Sequence, residues 1–156
     1  MNSNEPEKKE EKKEEKLTDH FSFEELTRTD DTELQEKNRS EARSYKPQLQ
    51  KLAEYAEEIR KIIGCPMVVT SAFRGEGLNK KLGGSPTSKH RFGEAIDFIP
   101  KTKSAKEAFT EILVSNIEYH EVILEKRGNG HLIHIAMGSK RKKLYSPEGG
   151  KYVFIL

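Results

Sequence analysis

The sequence predicts an α+β domain in which helices flank a small, largely antiparallel sheet. Residues 47–63 show a helical period, with apolar side chains on one face and charged side chains opposite. Residues 67–73 are rich in β-branched and apolar residues, as is typical of a strand. Further strand-like segments follow with one helix inserted between them, and this order favours an α+β arrangement.

Two capping boxes predict where further helices begin. The two pairs have the spacing of such a box: Ser22 with Glu25, and Ser104 with Glu107. In a capping box the serine side chain accepts from the amide three residues later, and the glutamate side chain there accepts from the amide of the serine. We therefore expect one short helix after Ser22 and a longer one after Ser104. The helix of residues 47–63 should end at the glycine and proline that follow it.

The remaining elements are predicted from apolar segments and turn residues. Strands are expected at 95–99, 121–125, 131–137 and 152–155. Loops are expected at the polar segment 29–38, where helical turns also fit, and at the glycine-rich segment 74–90. The basic cluster 140–143 fits a solvated loop or a contact with an anionic polymer such as wall teichoic acid or phospholipid.

Charge is concentrated at the N-terminus. Charged residues make up 35% of the 156-residue chain, and residues 5–16 contain almost nothing apolar. Such a run cannot bury enough surface to offset the entropy of ordering it. We expect residues 1–19 to form a disordered charged arm and residues 20–156 to form the folded domain.

Composition also limits the class of protein. The net charge of +2 gives no reason to expect a nucleic-acid partner, and the single cysteine, Cys65, excludes an internal disulfide. No segment has the length and hydrophobicity of a transmembrane helix or of a signal peptide. We therefore expect synthesis in the cytoplasm and a monomeric protein.

Two predicted strands carry a polar residue among apolar neighbours. Asp97 lies in the sequence AIDFI and His134 in HLIHI, while His90 precedes Asp97 by seven residues, with Gly93 between them allowing a tight turn. A buried carboxylate is costly unless it is paired or bound to a metal. Two histidines and one aspartate suit catalytic zinc. A buried His–Asp contact without metal is more common, and the residues alone leave both interpretations open.

The segment Ser88-x-His90-x-x-Gly93-x-Ala95-x-Asp97 resembles the S-x-H-x-x-G-x-A-x-D signature of the M15 peptidases. Four more segments resemble this family in the same order: FSFEEL at 21–26, TSAFR at 70–74, the loop at 78–84 with its Leu-Asn and Gly-Gly pairs, and LIHI at 132–135. The family includes zinc D-Ala-D-Ala carboxypeptidases, phage endolysins and D,D-dipeptidases. It shares its fold with the hedgehog signalling domain.

The resemblance implies roles for particular residues. His90, Asp97 and His134 would be the zinc ligands. Arg74 matches the arginine that lies beside the metal in this family, where it would hold a substrate carboxylate or carbonyl and stabilise the oxyanion. Ser88 would support the loop or hydrogen-bond the substrate.

The general base is left open between two residues. Many family members place an acidic base three residues before the last histidine ligand, and this position is His131 here. A neutral histidine can accept a proton near neutral pH. In a regular strand, however, His131 would face away from His134, unless the glycines at 128–130 distort the start of the strand. Glu125, at the end of the neighbouring predicted strand, is the other candidate.

The function implied by the resemblance is hydrolysis of an amide bond in the stem peptide of bacterial peptidoglycan. The enzyme would act as a D,D-carboxypeptidase or as an endopeptidase of the endolysin kind, and would reach the cell wall by a route such as a lysis pore. One alternative is a zinc-containing wall-binding module with little or no hydrolysis, which the lack of an acid at position 131 favours. Another is a phage structural component.

Overall fold

The computed structural model describes residues 14–146 and 152–155. Within these residues, six strands form one sheet in the order β1-β2-β4-β3-β5-β6. The strands are β1 (Met67–Ser71), β2 (Ala95–Pro100), β3 (Glu121–Arg127), β4 (Gly130–Ala136), β5 (Lys142–Ser146) and β6 (Val153–Phe154). The helices are α1 (Phe23–Thr27), α2 (Gln35–Ala42), α3 (Lys46–Ile63), α4 (Glu76–Lys81) and α5 (Ala105–Val114), with short 3-10 helices at Arg43–Tyr45 and Lys89–Phe92.

The sheet is antiparallel except where β3 pairs in parallel with β5. One face is apolar and packs against α3 and α5 to form the core. Because side chains alternate along a strand, Asp97 on β2 and His134 on β4 lie on the opposite face. The α+β prediction is confirmed, and the functional candidates lie on the sheet face away from the core helices.

The helix boundaries follow the predicted capping chemistry. Ser22 Oγ accepts a hydrogen bond from the Glu25 amide at 3.1 Å, and Ser104 Oγ accepts one from the Glu107 amide at 3.1 Å. Helix α3 ends at Gly64, whose φ of 66° lies in the left-handed region that favours glycine. The two serine caps and the long helix are therefore confirmed as predicted, whereas the return contact from each glutamate is not seen among the described residues.

Two predicted loops contain helices. Helix α2 begins inside the polar segment 29–38 and has no apolar face of its own. It is held instead by Asn38, which is buried and donates hydrogen bonds to the carbonyls of Thr27 and Phe73 and accepts one from the Gly75 amide. The segment 74–90 contains α4 and the start of the second 3-10 helix. Hydrogen bonds to distant residues, which periodicity does not reveal, stabilise α2.

The basic cluster at 140–143 is also not wholly a loop, because Lys142 and Lys143 begin β5. This strand buries Leu144 and Ser146 and pairs with β3, which lies well before it in the chain. Parallel pairing with a distant strand leaves no local turn signal in the sequence. The loop prediction is therefore wrong for these two lysines.

The described part of the N-terminal arm contacts the domain. Glu15 forms ion pairs with Arg43 and Lys46, and Lys16 forms a single antiparallel bridge with Ser22. Residues 1–13 lie outside the described residues, so the expected disorder of the arm stays a prediction for them. In the described part of the chain, no helix is both long enough and apolar enough to cross a bilayer.

Deleting residues 1–16 is expected to lower the melting temperature by only a few degrees and to leave activity unchanged. The deletion removes the Glu15 ion pairs, which lie at the surface, where solvent screens them. Phe21→Ala is the contrasting variant, because Phe21 is buried and its truncation should cost about 3–5 kcal/mol. Thermal denaturation followed by circular dichroism measures both. A deletion as destabilising as Phe21→Ala would contradict the prediction.

Candidate metal centre

The three predicted ligands come together in the structure. His90 lies on the 3-10 helix Lys89–Phe92, Asp97 on β2 and His134 on β4, directly opposite Asp97 in the sheet register. Each offers one ligand atom, and these atoms all lie within 4.8 Å of one another. The exposed fractions of the three residues are only 3%, 5% and 9%, respectively.

A left-handed turn brings His90 back towards Asp97. Gly93 has a φ of 71°, and a Cβ atom at this position would lie 3.1 Å from Leu49 Cδ2 on α3. Any other residue would therefore strain the backbone and crowd the core helix. The tight turn predicted between the two ligands is confirmed.

Asp97 lies between the two histidines. Its Oδ1 atom is 3.0 Å from His90 Nε2 and 2.7 Å from His134 Nδ1. Burial alone would raise the pKa of Asp97, but the two imidazoles hold it well below its usual range. Burial alone would lower the pKa of His134, but its hydrogen bonds with Asp97 and Glu121 raise it. The carboxylate is therefore ionised, as a metal ligand must be.

The outer nitrogen of each imidazole is hydrogen-bonded in a way that suits metal binding. His90 Nδ1 lies 2.7 Å from the Ala72 carbonyl oxygen, and His134 Nε2 lies 3.1 Å from Glu121 Oε1. A carbonyl oxygen only accepts, so His90 must donate through Nδ1. The hydrogen bond with His134 lowers the pKa of Glu121, so its carboxylate accepts as well. Each ring therefore points its other nitrogen at the Asp97 carboxylate, and the three residues fit a metal ion.

Arg74 borders this group, as predicted. Its Nη2 atom lies 3.5 Å from Asp97 Oδ2, and its Nε donates to Ser71 Oγ at 3.1 Å. Ser88 precedes the 3-10 helix that carries His90, and its carbonyl accepts the Arg91 amide. Its hydroxyl does not cap that helix, so supporting the loop through its backbone is the role that the geometry favours for Ser88.

The sequence profile described as Peptidase M15 matches residues 19–136. The match covers most of the chain and includes all three ligand candidates. This chain belongs to the peptidase M15 family. No curated protein matches the chain. The matched part of the M15 domain ends with β4, so β5 and β6 lie beyond it.

Within the M15 domain, the structure separates the two candidates for the general base. Strands β3 and β4 pair without interruption. The first pair is Glu121 with Ala136 and the last is Arg127 with Gly130, so the glycines do not distort the start of β4. His131 consequently lies on the opposite face of the sheet from His134. Its ring stacks on Tyr145, and its Nε2 atom is buried without a hydrogen-bond partner among the residues that the structure describes. Burial lowers the pKa of His131, and Lys106 and Lys126 lower it further.

Glu125, in contrast, lies on the same face as the metal-binding group of the M15 domain. It is opposite Leu132 in the sheet register, two residues from His134, and its side chain is 12% exposed. Its Oε2 atom accepts a hydrogen bond from Arg127 Nη2 at 3.1 Å. Of the two candidates, the geometry therefore places Glu125, and not His131, on the face that carries the three ligand candidates.

A cleft of about 250 Å³ opens beside the metal-binding group, and Asp97, Arg74, Leu132 and Arg127 contribute to its lining. A larger hollow of about 720 Å³ around His20 contains none of the ligands. The smaller cleft is therefore the opening that lies beside the three ligand candidates, and Arg28, Arg74 and Arg127 line it.

Two residues of the site, Glu121 and Arg127, were not predicted from the sequence. Both lie on β3 at even spacings from Glu125, so strand alternation places all three on one face. That alternation was the available signal. It could not show that Glu121 reaches His134, because the partner of a strand is not set by its own sequence.

Proposed function

We propose that the protein is a zinc peptidase that hydrolyses an amide bond in the peptidoglycan stem peptide, as a D,D-carboxypeptidase or an endopeptidase. The observation that carries this proposal is the buried group of His90, Asp97 and His134, with both imidazoles oriented by outer hydrogen bonds beside an open cleft. Two nitrogen ligands and one oxygen ligand suit zinc and leave one position open.

Glu125 and Arg74 have different roles in the proposed reaction. When bound, zinc supplies the Lewis acid that polarises the scissile carbonyl and acidifies water. Glu125 takes the proton of the attacking water and passes it to the leaving amine, because it lies opposite the cleft residue Leu132, whereas Glu121 is engaged with His134. Arg74 anchors a substrate carboxylate or stabilises the oxyanion that develops in the transition state.

The cleft presents guanidinium groups that can bind a carboxylate of the peptide. Arg28, Arg74 and Arg127 contribute to its lining, together with the carboxylates of Asp30, Asp31 and Asp97. Stem peptides carry carboxylates, which guanidinium groups bind through paired hydrogen bonds. The proposed place of action is accordingly the bacterial cell wall, reached after release from the cytoplasm, and the protein is proposed to act as a monomer.

Digestion of purified peptidoglycan tests the proposal. The zinc-loaded protein should release fragments whose masses identify the bond that is cleaved, a chelator should stop the reaction, and added zinc should restore it. A carboxypeptidase leaves the new amine on a free amino acid, whereas an endopeptidase leaves it on a longer fragment. If the zinc-loaded protein binds the wall but releases no fragment, the alternative of a wall-binding module replaces the enzyme.

Glu121→Ala is expected to weaken zinc binding about 10–100-fold, the usual effect of removing an outer-shell partner of a metal ligand. The variant removes the acceptor that holds His134 Nε2. Glu121→Gln should retain most of the affinity, because an amide oxygen can still accept from this nitrogen. Competition with a chelating dye measures the affinity.

Glu118→Ala is the control for this experiment, because it removes the same charge from an exposed position three residues away. If Glu118→Ala weakens zinc binding as much as Glu121→Ala, the effect is one of net charge and the orienting role of Glu121 is refuted.

A further inference from the structure

Strands β5 and β6 extend the sheet beyond the part of the chain that matches the M15 family. β5 pairs with β3, the strand that carries Glu125, and β6 pairs with β5. This addition is therefore attached directly to the strand that borders the cleft.

The sheet register shows which face the added side chains share. Asp97 pairs with His134, His134 with Ile123, Ile123 with Leu144 and Leu144 with Phe154. Residues opposite one another in a sheet point to the same side. Phe154 therefore lies on the face that carries the metal-binding group.

Tyr152 belongs to the same face by alternation, two residues before Phe154. Leu132, Glu125 and Ser146 lie opposite one another on β4, β3 and β5, and Tyr152 lies beside Ser146 at the end of this row. Partial burial and the negative charge of Glu125 raise the pKa of Tyr152, whereas Arg127 lowers it. The phenol is therefore close enough to Glu125 and Arg127 to interact with their charges.

Both aromatic side chains are open to an incoming molecule. Tyr152 is 54% exposed and Phe154 is 66% exposed, although residues of this size are usually buried. Arg127 and Lys142 are exposed on the same face. Glu121 and Glu125 share this face, so the surface beside the cleft combines aromatic rings with side chains of both charges.

The distance from the metal-binding group sets the length of the molecule that could use this surface. Neighbouring strands lie about 4.8 Å apart, so β6 is about 14 Å from β4 across three steps. An extended peptide covers this distance in about four residues. A dipeptide bound at the metal would not reach the two rings.

We propose that Tyr152 and Phe154 form an aromatic binding platform for an extended peptide, which they contact about four residues from the bond that is cleaved. The proposal rests on the proposed function and deepens it, because it makes a stem peptide of several residues the preferred substrate. The occupant is the peptide in the cleft, since the platform and the cleft share one continuous sheet face.

Binding and kinetics of two stem peptides, a dipeptide and a pentapeptide, test the platform in the zinc-loaded full chain. The wild type should bind the pentapeptide more tightly. Tyr152→Ala and Phe154→Ala should each raise its KM about tenfold without changing kcat, and should leave the dipeptide unaffected. Val153→Ala is the matched control, because Val153 is 53% exposed and lies between the two aromatic residues on the opposite face.

Calorimetry with Glu125→Gln as the background keeps the test separate from the proposed function, because binding is measured whether or not the peptide is cleaved. Tighter binding of the pentapeptide that depends on Tyr152 and Phe154 but not on Val153 supports the platform, even if no hydrolysis occurs. Equal affinity for the two peptides, no binding of the pentapeptide, or an equal loss in Val153→Ala would overturn it.

Discussion

Replacing His134 with alanine is expected to abolish stoichiometric metal binding. Wild-type protein purified without chelator should contain one zinc per chain, because a single His–Asp–His group is found among residues 14–146 and 152–155. The variant loses one of the three ligands and also the contact through which Glu121 supports the group. Elemental analysis measures the metal content.

His20→Ala is the control for this measurement, since His20 is hydrogen-bonded to Glu57 and lies outside the metal-binding group. It should keep its full zinc content. Retention of one zinc per chain by His134→Ala, at wild-type affinity, would refute the ligand assignment.

Glu125→Gln is expected to lose about 10²–10⁴-fold in kcat while keeping its zinc, because this is the usual contribution of a positioned proton-transfer group. Glutamine has nearly the same shape but cannot take the proton from water. The side chain lies on the cleft face but is not one of the three ligands, so metal content should not change. Single-turnover kinetics with metal analysis measure both quantities.

His131→Ala tests whether the base is the residue at the family's motif position or the residue on the cleft face. Because His131 faces Tyr145 on the other side of the sheet, its removal should leave kcat nearly unchanged. A large loss of rate in His131→Ala, with Glu125→Gln almost silent, would show that the base is the histidine after all. If both variants are silent and Arg74→Ala is not, neither residue is the base.

Local chemistry made much of the fold predictable. Helix α3 follows from its apolar period, and α1 and α5 follow from the side-chain caps at Ser22 and Ser104. Helix α2 and strand β5 could not be predicted in this way. The first depends on hydrogen bonds from Asn38 to distant carbonyls, and the second on parallel pairing with β3.

The candidate site was predictable to a similar extent. A carboxylate and an imidazole within apolar strands marked Asp97 and His134, the spacing to Asp97 marked His90, and the resemblance implied that all three are ligands. Strand alternation indicated that His131 faces away from His134, and the uninterrupted pairing of β3 with β4 shows that the glycines do not change this. Glu121 was missed because its role depends on which strand lies beside its own.

The segment between Arg74 and His90 is closed at its base by the residues that build the metal-binding group. The Arg74 amide donates to the His90 carbonyl at 3.0 Å, and the His90 ring donates to the Ala72 carbonyl at 2.7 Å. The far end of this segment, at residues 85–87, is exposed. Insertions at that tip can therefore reshape the rim without moving the ligands, which makes it a natural place for relatives to differ in length and for engineers to graft a new recognition loop.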